Sequence, residues 1–203
     1  MNKKVLVLMS GGVDSSLTAV LAAKALGAKN VTALLMPEHG LTHPKNVKDA
    51  AELAKKFKIR TLTIPINRYL APFANNGWRQ PKLAKANLRA RIRAMLLYNY
   101  ANSNNCLVIG TSNKTELRLG YFTKYGDGAV DLEPLGTLYK CDVRSMARFL
   151  GIPDHVVDKT PTAELFRGQS DELELGMKYD DADILLMKIE KNVFQFLRRA
   201  QKI

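Results

Sequence analysis

Four consecutive apolar residues, Val5-Leu6-Val7-Leu8, run straight into Met9-Ser10-Gly11-Gly12-Val13-Asp14-Ser15-Ser16 and then into an alanine- and leucine-rich stretch that ends at Leu26. The first run has the length of a buried strand, and the stretch after the turn predicts a helix closed by Gly27. A strand that feeds a helix through a two-glycine turn admits few folds. It is the opening unit of a parallel sheet with helices packed on it. The same unit makes an anion site. The first N–H groups of a helix have no intrahelical partner, and the helix dipole there favours negative charge. Gly11 and Gly12 let the backbone approach a phosphate with no Cβ in the way, and Ser10, Ser15 and Ser16 add hydroxyls. Asp14 conflicts with phosphate unless a cation lies between them, a role that Mg²⁺ fills. The plainer alternative is a strand-to-helix turn capped by Asp14 or Ser15. Glycine, hydroxyl and carboxylate crowded into one turn favour the phosphate site.

The alternation continues along the chain. Val31-Thr32-Ala33-Leu34-Leu35-Met36 reads as a second strand ended by Pro37. Residues 45–57 have helical spacing, with Pro44 suited to the first helical position. Residues 61–64 predict a third strand, 83–102 the longest helix, and Cys106-Leu107-Val108-Ile109 a fourth strand. A helix over 142–150 is stopped by Gly151 and Pro153, and 180–201 reads as a terminal amphipathic helix. The fold class is therefore α/β: a single doubly wound parallel sheet with helices on both faces, in one domain spanning residues 1–203. Ligands of such sheets sit beyond the carboxyl ends of the strands, where strand order reverses. Gly11-Gly12 and Gly110-Thr111 both follow strands, so the two turns are expected to meet. Three local expectations follow. Ala94-Met95-Leu96-Leu97-Tyr98, apolar all round, should be buried. Arg89 and Arg93 should share a helix face, with Arg91 on the other side. Residues 67–82, with Pro72, Asn75-Asn76-Gly77, Trp78 and Pro81, predict a loop long enough to act as a lid. His39 and His43 are split by Gly40 and followed by Pro44, which argues against a helical metal pair.

With 31 Lys and Arg against 19 Asp and Glu, the net charge is +12, which predicts a polyanionic partner, a nucleotide or a nucleic acid. The basic residues are dispersed, as at Lys55, Lys56, Lys58 and Arg60 and again at Arg198, Arg199 and Lys202. They read as solvated faces, so charge alone does not argue for nucleic acid. No apolar run is long enough to span a bilayer. Asn2-Lys3-Lys4 leads into a strand rather than into the core of a signal peptide. The expectation is a cytoplasmic protein with no membrane partner. Cys106 and Cys141 form no C-x-x-C pair and read as reduced, partly buried thiols.

Neither G-x-x-x-x-G-K-[ST] nor G-x-G-x-x-G occurs. Ser10-Gly11-Gly12-Val13-Asp14-Ser15 instead resembles the pyrophosphate (PP) loop of the ATP pyrophosphatases, which have a Rossmann-like, adenine nucleotide alpha hydrolase-like architecture. Those enzymes split ATP to AMP and pyrophosphate and pass the AMP to an oxygen of the substrate. Gly110-Thr111-Ser112-Asn113-Lys114-Thr115-Glu116 and Gly120-Tyr121-Phe122-Thr123-Lys124-Tyr125-Gly126-Asp127-Gly128 are similar to ammonia-dependent NAD synthetase. So are Pro161-Thr162-Ala163-Glu164-Leu165 and Asp171-Glu172-Leu173-Glu174-Leu175-Gly176. The resemblance implies a carbon–nitrogen ligase that amidates deamido-NAD to NAD with ammonia, through an adenylated nicotinate, releasing AMP and pyrophosphate. It implies that Met9, Ser10, Gly11, Gly12, Asp14, Ser15 and Ser16 cradle the ATP phosphates. Met36 would lie beside the adenine, and Thr111, Lys140 and Thr162 would contact ATP. Asp14 and Lys140 would be catalytic, Asp14 and Glu116 would hold Mg²⁺, and Arg91, Lys124 and Asp131 would bind deamido-NAD. It further implies a homodimer. Family members carry an N-terminal helical segment used in dimerisation and a C-terminal His-Lys pair at the dinucleotide site. This chain opens at the first strand, and Gln201-Lys202 stands where that pair is expected. With no glutaminase domain in the sequence, the ammonia is expected to be free or to come from a separate partner. Two competing readings are a tRNA-modifying ATP pyrophosphatase, favoured by the charge and by Lys55 to Arg60, and a nucleotide-binding relative that has lost synthetase activity.

Overall fold

The computed structural model describes residues 3–75 and 77–200, with side chains up to residue 193 at the C-terminal end. Four parallel strands, β1 (Lys4–Leu8), β2 (Val31–Leu35), β3 (Arg60–Thr63) and β4 (Cys106–Ile109), form one sheet in the order β3-β2-β1-β4. Val5 pairs with Val31 on one side of β1 and with Leu107 on the other. The chain therefore winds outward from β1 through β2 to β3, then returns to add β4 on the opposite edge. The reversal lies between β1 and β4, where the α/β rule places a ligand. The helices are α1 (Val13–Leu26), α2 (Pro44–Lys56), α3 (Asn67–Leu70), α4 (Lys82–Asn104), α5 (Lys114–Leu119), α6 (Lys140–Phe149), α7 (Asp154–Val157), α8 (Asp171–Leu175) and α9 (Tyr179–Ala200).

Both faces of the sheet are covered over the central strands β1 and β2, which is why these read as nearly unbroken apolar runs, whereas edge strand β3 is largely exposed. Alternate residues point to opposite faces. Val5, Val7, Ala33, Leu35 and Ile109 pack with α1, α2 and α6 in one core. Leu6, Leu34 and Val108 pack with Ile92, Leu97 and Ala101 of α4 in the other. Gly27, at φ +83°, closes α1, and left-handed Asn105 closes α4. Among the described residues no helix is long and apolar enough to cross a membrane.

Two local expectations change. Residues 67–82 are not a featureless loop: α3 and a 3₁₀ turn at Ala71–Phe73 order their first half. Met95 is 58 % exposed, although its neighbours Ala94 and Leu97 are buried. The apolar half of α4 is broader than the face that the sheet covers. Gln201 and Lys202, and the side chains of Phe196 and Leu197, lie outside the described residues.

Candidate active site

The turn after β1 holds its shape through its own serines. The Ser10 N–H donates to Ser15 Oγ at 3.1 Å, the two hydroxyls lie 3.0 Å apart, and Ser15 Oγ donates to the Gly12 carbonyl at 3.1 Å. Gly12 caps α1 without any side-chain hydrogen bond, so the first N–H groups of the helix are left for a ligand. Gly11 has φ +87°, and a Cβ there would lie 2.2 Å from the Asn46 carbonyl oxygen. No other L-residue fits between the turn and α2. Ser10, Gly12, Asp14, Ser15, Thr111, Glu116 and Thr162 line one cavity of about 150 Å³. The turns after β1 and β4 thus meet, as strand order requires. Met9, Ser10 and Met36 line a smaller adjoining cleft. Ser16 points into the protein instead: it is buried, and its Oγ has no partner among the described residues.

Asp14 and Glu116 converge from opposite sides of the sheet's switch point. Glu116 is fixed by a reciprocal capping box on α5, in which Asn113 Oδ1 accepts the Glu116 N–H and Glu116 Oε2 accepts the Asn113 N–H. Asn113 Nδ2 also donates to Asp14 Oδ1 at 2.9 Å, so one asparagine orients both acids. Lys140, the first residue of α6 and 2 % exposed, donates to Asp14 Oδ2 at 2.6 Å and to Glu116 Oε1 at 3.3 Å. Its backbone N–H is held by Thr115 Oγ1, and its ammonium lies 4.6 Å from the centre of the Tyr179 ring. Burial alone would lower the Lys140 pKa, but Asp14 and Glu116 hold it above its usual value. Burial pushes the Glu116 carboxyl up to about 7, against the pull of Lys140. The attraction of Lys140 exceeds the repulsion from Asp14, and it is the loss of water around the carboxyl that outweighs both. Among the described residues no three His, Cys, Asp or Glu side chains gather to hold a metal alone. Two hard carboxylates facing a phosphate site suit Mg²⁺, which is held by one or two carboxylates together with phosphate oxygens.

The segment after α7 roofs the cavity. Lys159 Nζ donates to the Gly11 carbonyl at 2.8 Å, to Asn46 Oδ1 at 2.7 Å and to Asp49 Oδ2 at 2.7 Å. It thereby ties the phosphate turn to α2. Asp49 is 5 % exposed; burial would raise its pKa, but the Lys159 ammonium keeps it below its usual value. Under the β4 turn, Glu133 Oε2 accepts the Ser112 N–H at 3.1 Å, and its buried Oε1 has no partner among the described residues. Burial pushes this carboxyl up to about 7. A Cβ at Gly110 would come within 2.3 Å of the Glu133 carboxyl group, so a larger residue there would have to push that side chain aside. Beside the first cavity lies a larger, mostly apolar one of about 480 Å³, which shares Ser10, Thr111, Tyr121 and Asp127 with it.

The three residues expected at the second substrate lie apart from both cavities. Arg91 is exposed on α4, and its Nε donates to the Lys124 carbonyl. Lys124 is also exposed, with its Nζ 4.9 Å from the centre of the Tyr125 ring. The Asp131 carboxylate accepts the Val108 N–H at 2.8 Å and the Tyr98 hydroxyl at 3.2 Å. It completes the hydrogen bonding of edge strand β4. Arg89 and Arg93 do share the other face: Arg89 makes a two-pronged pair with Glu38, and Arg93 donates to the Met36 carbonyl. Lys159, Glu133, Asn113 and Asp171 were missed as site residues. Asn113 and Asp171 lie inside the family-like blocks, and the Asn113-to-Glu116 spacing is that of a capping box; Lys159 and Glu133 carried no sequence signal.

The NAD synthase family model matches residues 1–198. The chain is 47 % identical over 183 residues to the NH₃-dependent NAD⁺ synthetase of Archaeoglobus fulgidus, covering 90 % of this chain and 74 % of that protein. Two solved structures superpose closely. The NMN synthetase of Francisella tularensis has a TM-score of 0.86 at 39 % identity, covering 92 % of this chain and 78 % of that one. The NH₃-dependent NAD synthetase of Campylobacter jejuni has a TM-score of 0.80 at 35 % identity, covering 98 % and 79 %. On a match that runs through both glycine turns and the roof segment, the chain belongs to the NAD synthase family.

Proposed function

We propose that this chain is a ligase that amidates deamido-NAD to NAD with ammonia and ATP, releasing AMP and pyrophosphate. One observation carries the reading: the uncapped turn of α1, Asp14 and Glu116 line a single cavity, and the buried Lys140 pairs with both acids from behind that wall. A carboxylate is a poor electrophile. Transfer of AMP onto the nicotinate carboxylate gives it a leaving group, and ammonia then displaces AMP. The first step brings two anions together, so the site has to place positive charge and N–H donors where negative charge grows. In this reading the α1 N-terminus, with Ser10, Ser15 and the backbone of Met9 to Ser16, holds the β- and γ-phosphates. Lys140 faces the α-phosphorus, Thr111 and Thr162 flank the nucleotide, and Met36 borders the adenine. Mg²⁺ held by Asp14 and Glu116 would neutralise phosphate charge.

Deamido-NAD is proposed to cross the surface at Arg91, Lys124 and Asp131 and to place its nicotinate in the larger cavity beside the nucleotide. A carboxylate offers about four acceptor sites, so Asp131 keeps capacity beyond its two internal donors. The chain is proposed to work as one cytoplasmic domain in a homodimer, its partner covering the exposed Met95, Leu107 and Leu132 along the β4 side. A second reading, amidation of the corresponding mononucleotide, is favoured by the likeness to the Francisella NMN synthetase.

The test is an assay with ATP, Mg²⁺, ammonium and either acid substrate. Equal yields of NAD and AMP from deamido-NAD support the first reading, and turnover of the mononucleotide alone supports the second. Asp14→Asn and Glu116→Gln should each lower kcat by more than about 100-fold, the scale on which a displaced reacting group is felt, and leave the chain folded by circular dichroism. Lys124→Ala should raise the KM for the dinucleotide more than that for ATP. Near-normal rates in either acid variant at saturating Mg²⁺ would overturn the assignment of the two carboxylates.

A further inference from the structure

The nucleotide cavity is rich in acids. Asp14, Glu116, Asp127, Glu164 and Asp171 all line it, yet in the proposed reaction it must hold and then release pyrophosphate, a dense anion. Its cations are not equally free to help. Lys140 lies behind the wall and is committed to Asp14 and Glu116. Lys159 has three acceptors for its three N–H groups. Arg144 differs. It rises from α6 into the cavity wall, and among the described residues it makes a single hydrogen bond, from Nη1 to Asp180 Oδ1 at 2.9 Å. The Asp180 side chain is 67 % exposed. An ion pair at that exposure is weakly held, and a guanidinium has five donors in a planar fork that matches phosphate oxygens.

The position of Arg144 in the fold adds a second observation. A more open cavity of about 500 Å³ lies behind the first, lined by Arg148, Asp158 and Asp180 among others. Arg144, Lys159, Thr160 and Pro161 belong to both walls. They form the partition between the nucleotide site and an outlet to solvent.

We propose that Arg144 binds the pyrophosphate half of ATP, exchanging Asp180 for phosphate oxygens, and passes pyrophosphate into the outer cavity after adenylation. The proposal rests on the amidation reading for its substrate. It assigns to Arg144 a role separate from that of Lys140: the lysine serves the phosphorus that is attacked, and the arginine serves the group that leaves.

The experiment measures binding of inorganic pyrophosphate with Mg²⁺ to the full chain by calorimetry, and its inhibition of NAD formation. Arg144→Gln should weaken pyrophosphate at least tenfold by both readouts, with the KM for deamido-NAD changed less than twofold. Arg144→Lys, which keeps the charge and loses the fork, should fall between wild type and Arg144→Gln. It carries the test if the glutamine variant does not fold. Asp180→Asn, which removes the partner but not the guanidinium, should bind pyrophosphate as well as wild type or better. Arg148→Gln, in the outer cavity alone, should change it less than twofold. Unchanged pyrophosphate affinity in both Arg144 variants overturns the proposal, as does an equal loss in Asp180→Asn or Arg148→Gln. If the wild type makes no NAD while Arg144→Gln still weakens pyrophosphate, the amidation reading fails and the pyrophosphate site stands.

Discussion

At the scale of single residues, the site is held by contacts that leave no room for substitution. Gly11 combines a positive φ with a backbone carbonyl 2.2 Å from where a Cβ would be. Gly11→Ala costs about 1–2 kcal/mol in backbone conformation alone, and the clash with Asn46 must then move the turn or α2. Displacing a positioning group by about 1 Å costs on the order of 100-fold in rate. Gly11→Ala should therefore lower kcat/KM for ATP by about that factor, measured at saturating second substrate, while the melting temperature falls only modestly. Glu133 offers a residue-scale test by pH. Burial raises its carboxyl from 4.5 to about 7 in the folded chain. The folded protein then keeps a proton that the unfolded chain gives up, so this group's contribution to stability is complete below about pH 4.5 and is lost as pH rises through 7. Urea midpoints across that window should fall less steeply in Glu133→Gln than in wild type; parallel curves would show that Glu133 titrates normally. The importance of Gly11 was legible in the sequence, because glycine at a strand–helix turn has a short list of causes. Glu133 was not, because nothing in Asp131-Leu132-Glu133-Pro134 marks a carboxylate that folds back beneath Gly110.

At the scale of elements, short apolar runs and proline or glycine breaks located all four strands and the helices between them. That worked because both faces of the central strands β1 and β2 are buried, and because Pro65 marked the end of the more exposed β3. It misjudged Met95, where α4 is wider than the sheet it covers, and residues 67–82, where α3 forms and Pro72 sits in the first turn of a 3₁₀ segment. The sequence could not reveal how the elements are pinned to each other. Lys159 joins the phosphate turn, α2 and the roof segment across more than a hundred residues, yet in the sequence it looks like any solvated lysine. Lys159→Met leaves the buried Asp49 with only the half-exposed His155, 3.4 Å from Oδ1, in place of the ammonium. Breaking a buried pair in this way costs about 3 kcal/mol. The variant should lose that much stability in urea unfolding and show a raised KM for ATP, whereas Lys159→Arg should recover part of both. Full stability in Lys159→Met would mean that α2 and the turn hold their positions without the lysine.

At the scale of the whole molecule, the parallel sheet turns a sequence separation of a hundred residues into a single wall. The order β3-β2-β1-β4 sets the turn of Asp14 beside the turn of Glu116, and α6 delivers Lys140 between them. The family resemblance had already pointed to these three residues, Asp14 and Glu116 from within its blocks. The surface positions of Arg91 and Lys124 and the internal bonds of Asp131 were out of its reach, since they depend on an edge strand that needs a hydrogen-bonding partner. The central claim is that this assembly transfers the α-phosphorus of ATP to a carboxylate oxygen. Deamido-NAD labelled with heavy oxygen in its nicotinate carboxyl group tests it most directly. After turnover with ATP, Mg²⁺ and ammonium, mass spectrometry should find one labelled oxygen in the phosphate of AMP and none in pyrophosphate. Unlabelled AMP, or label in inorganic phosphate, would contradict the account.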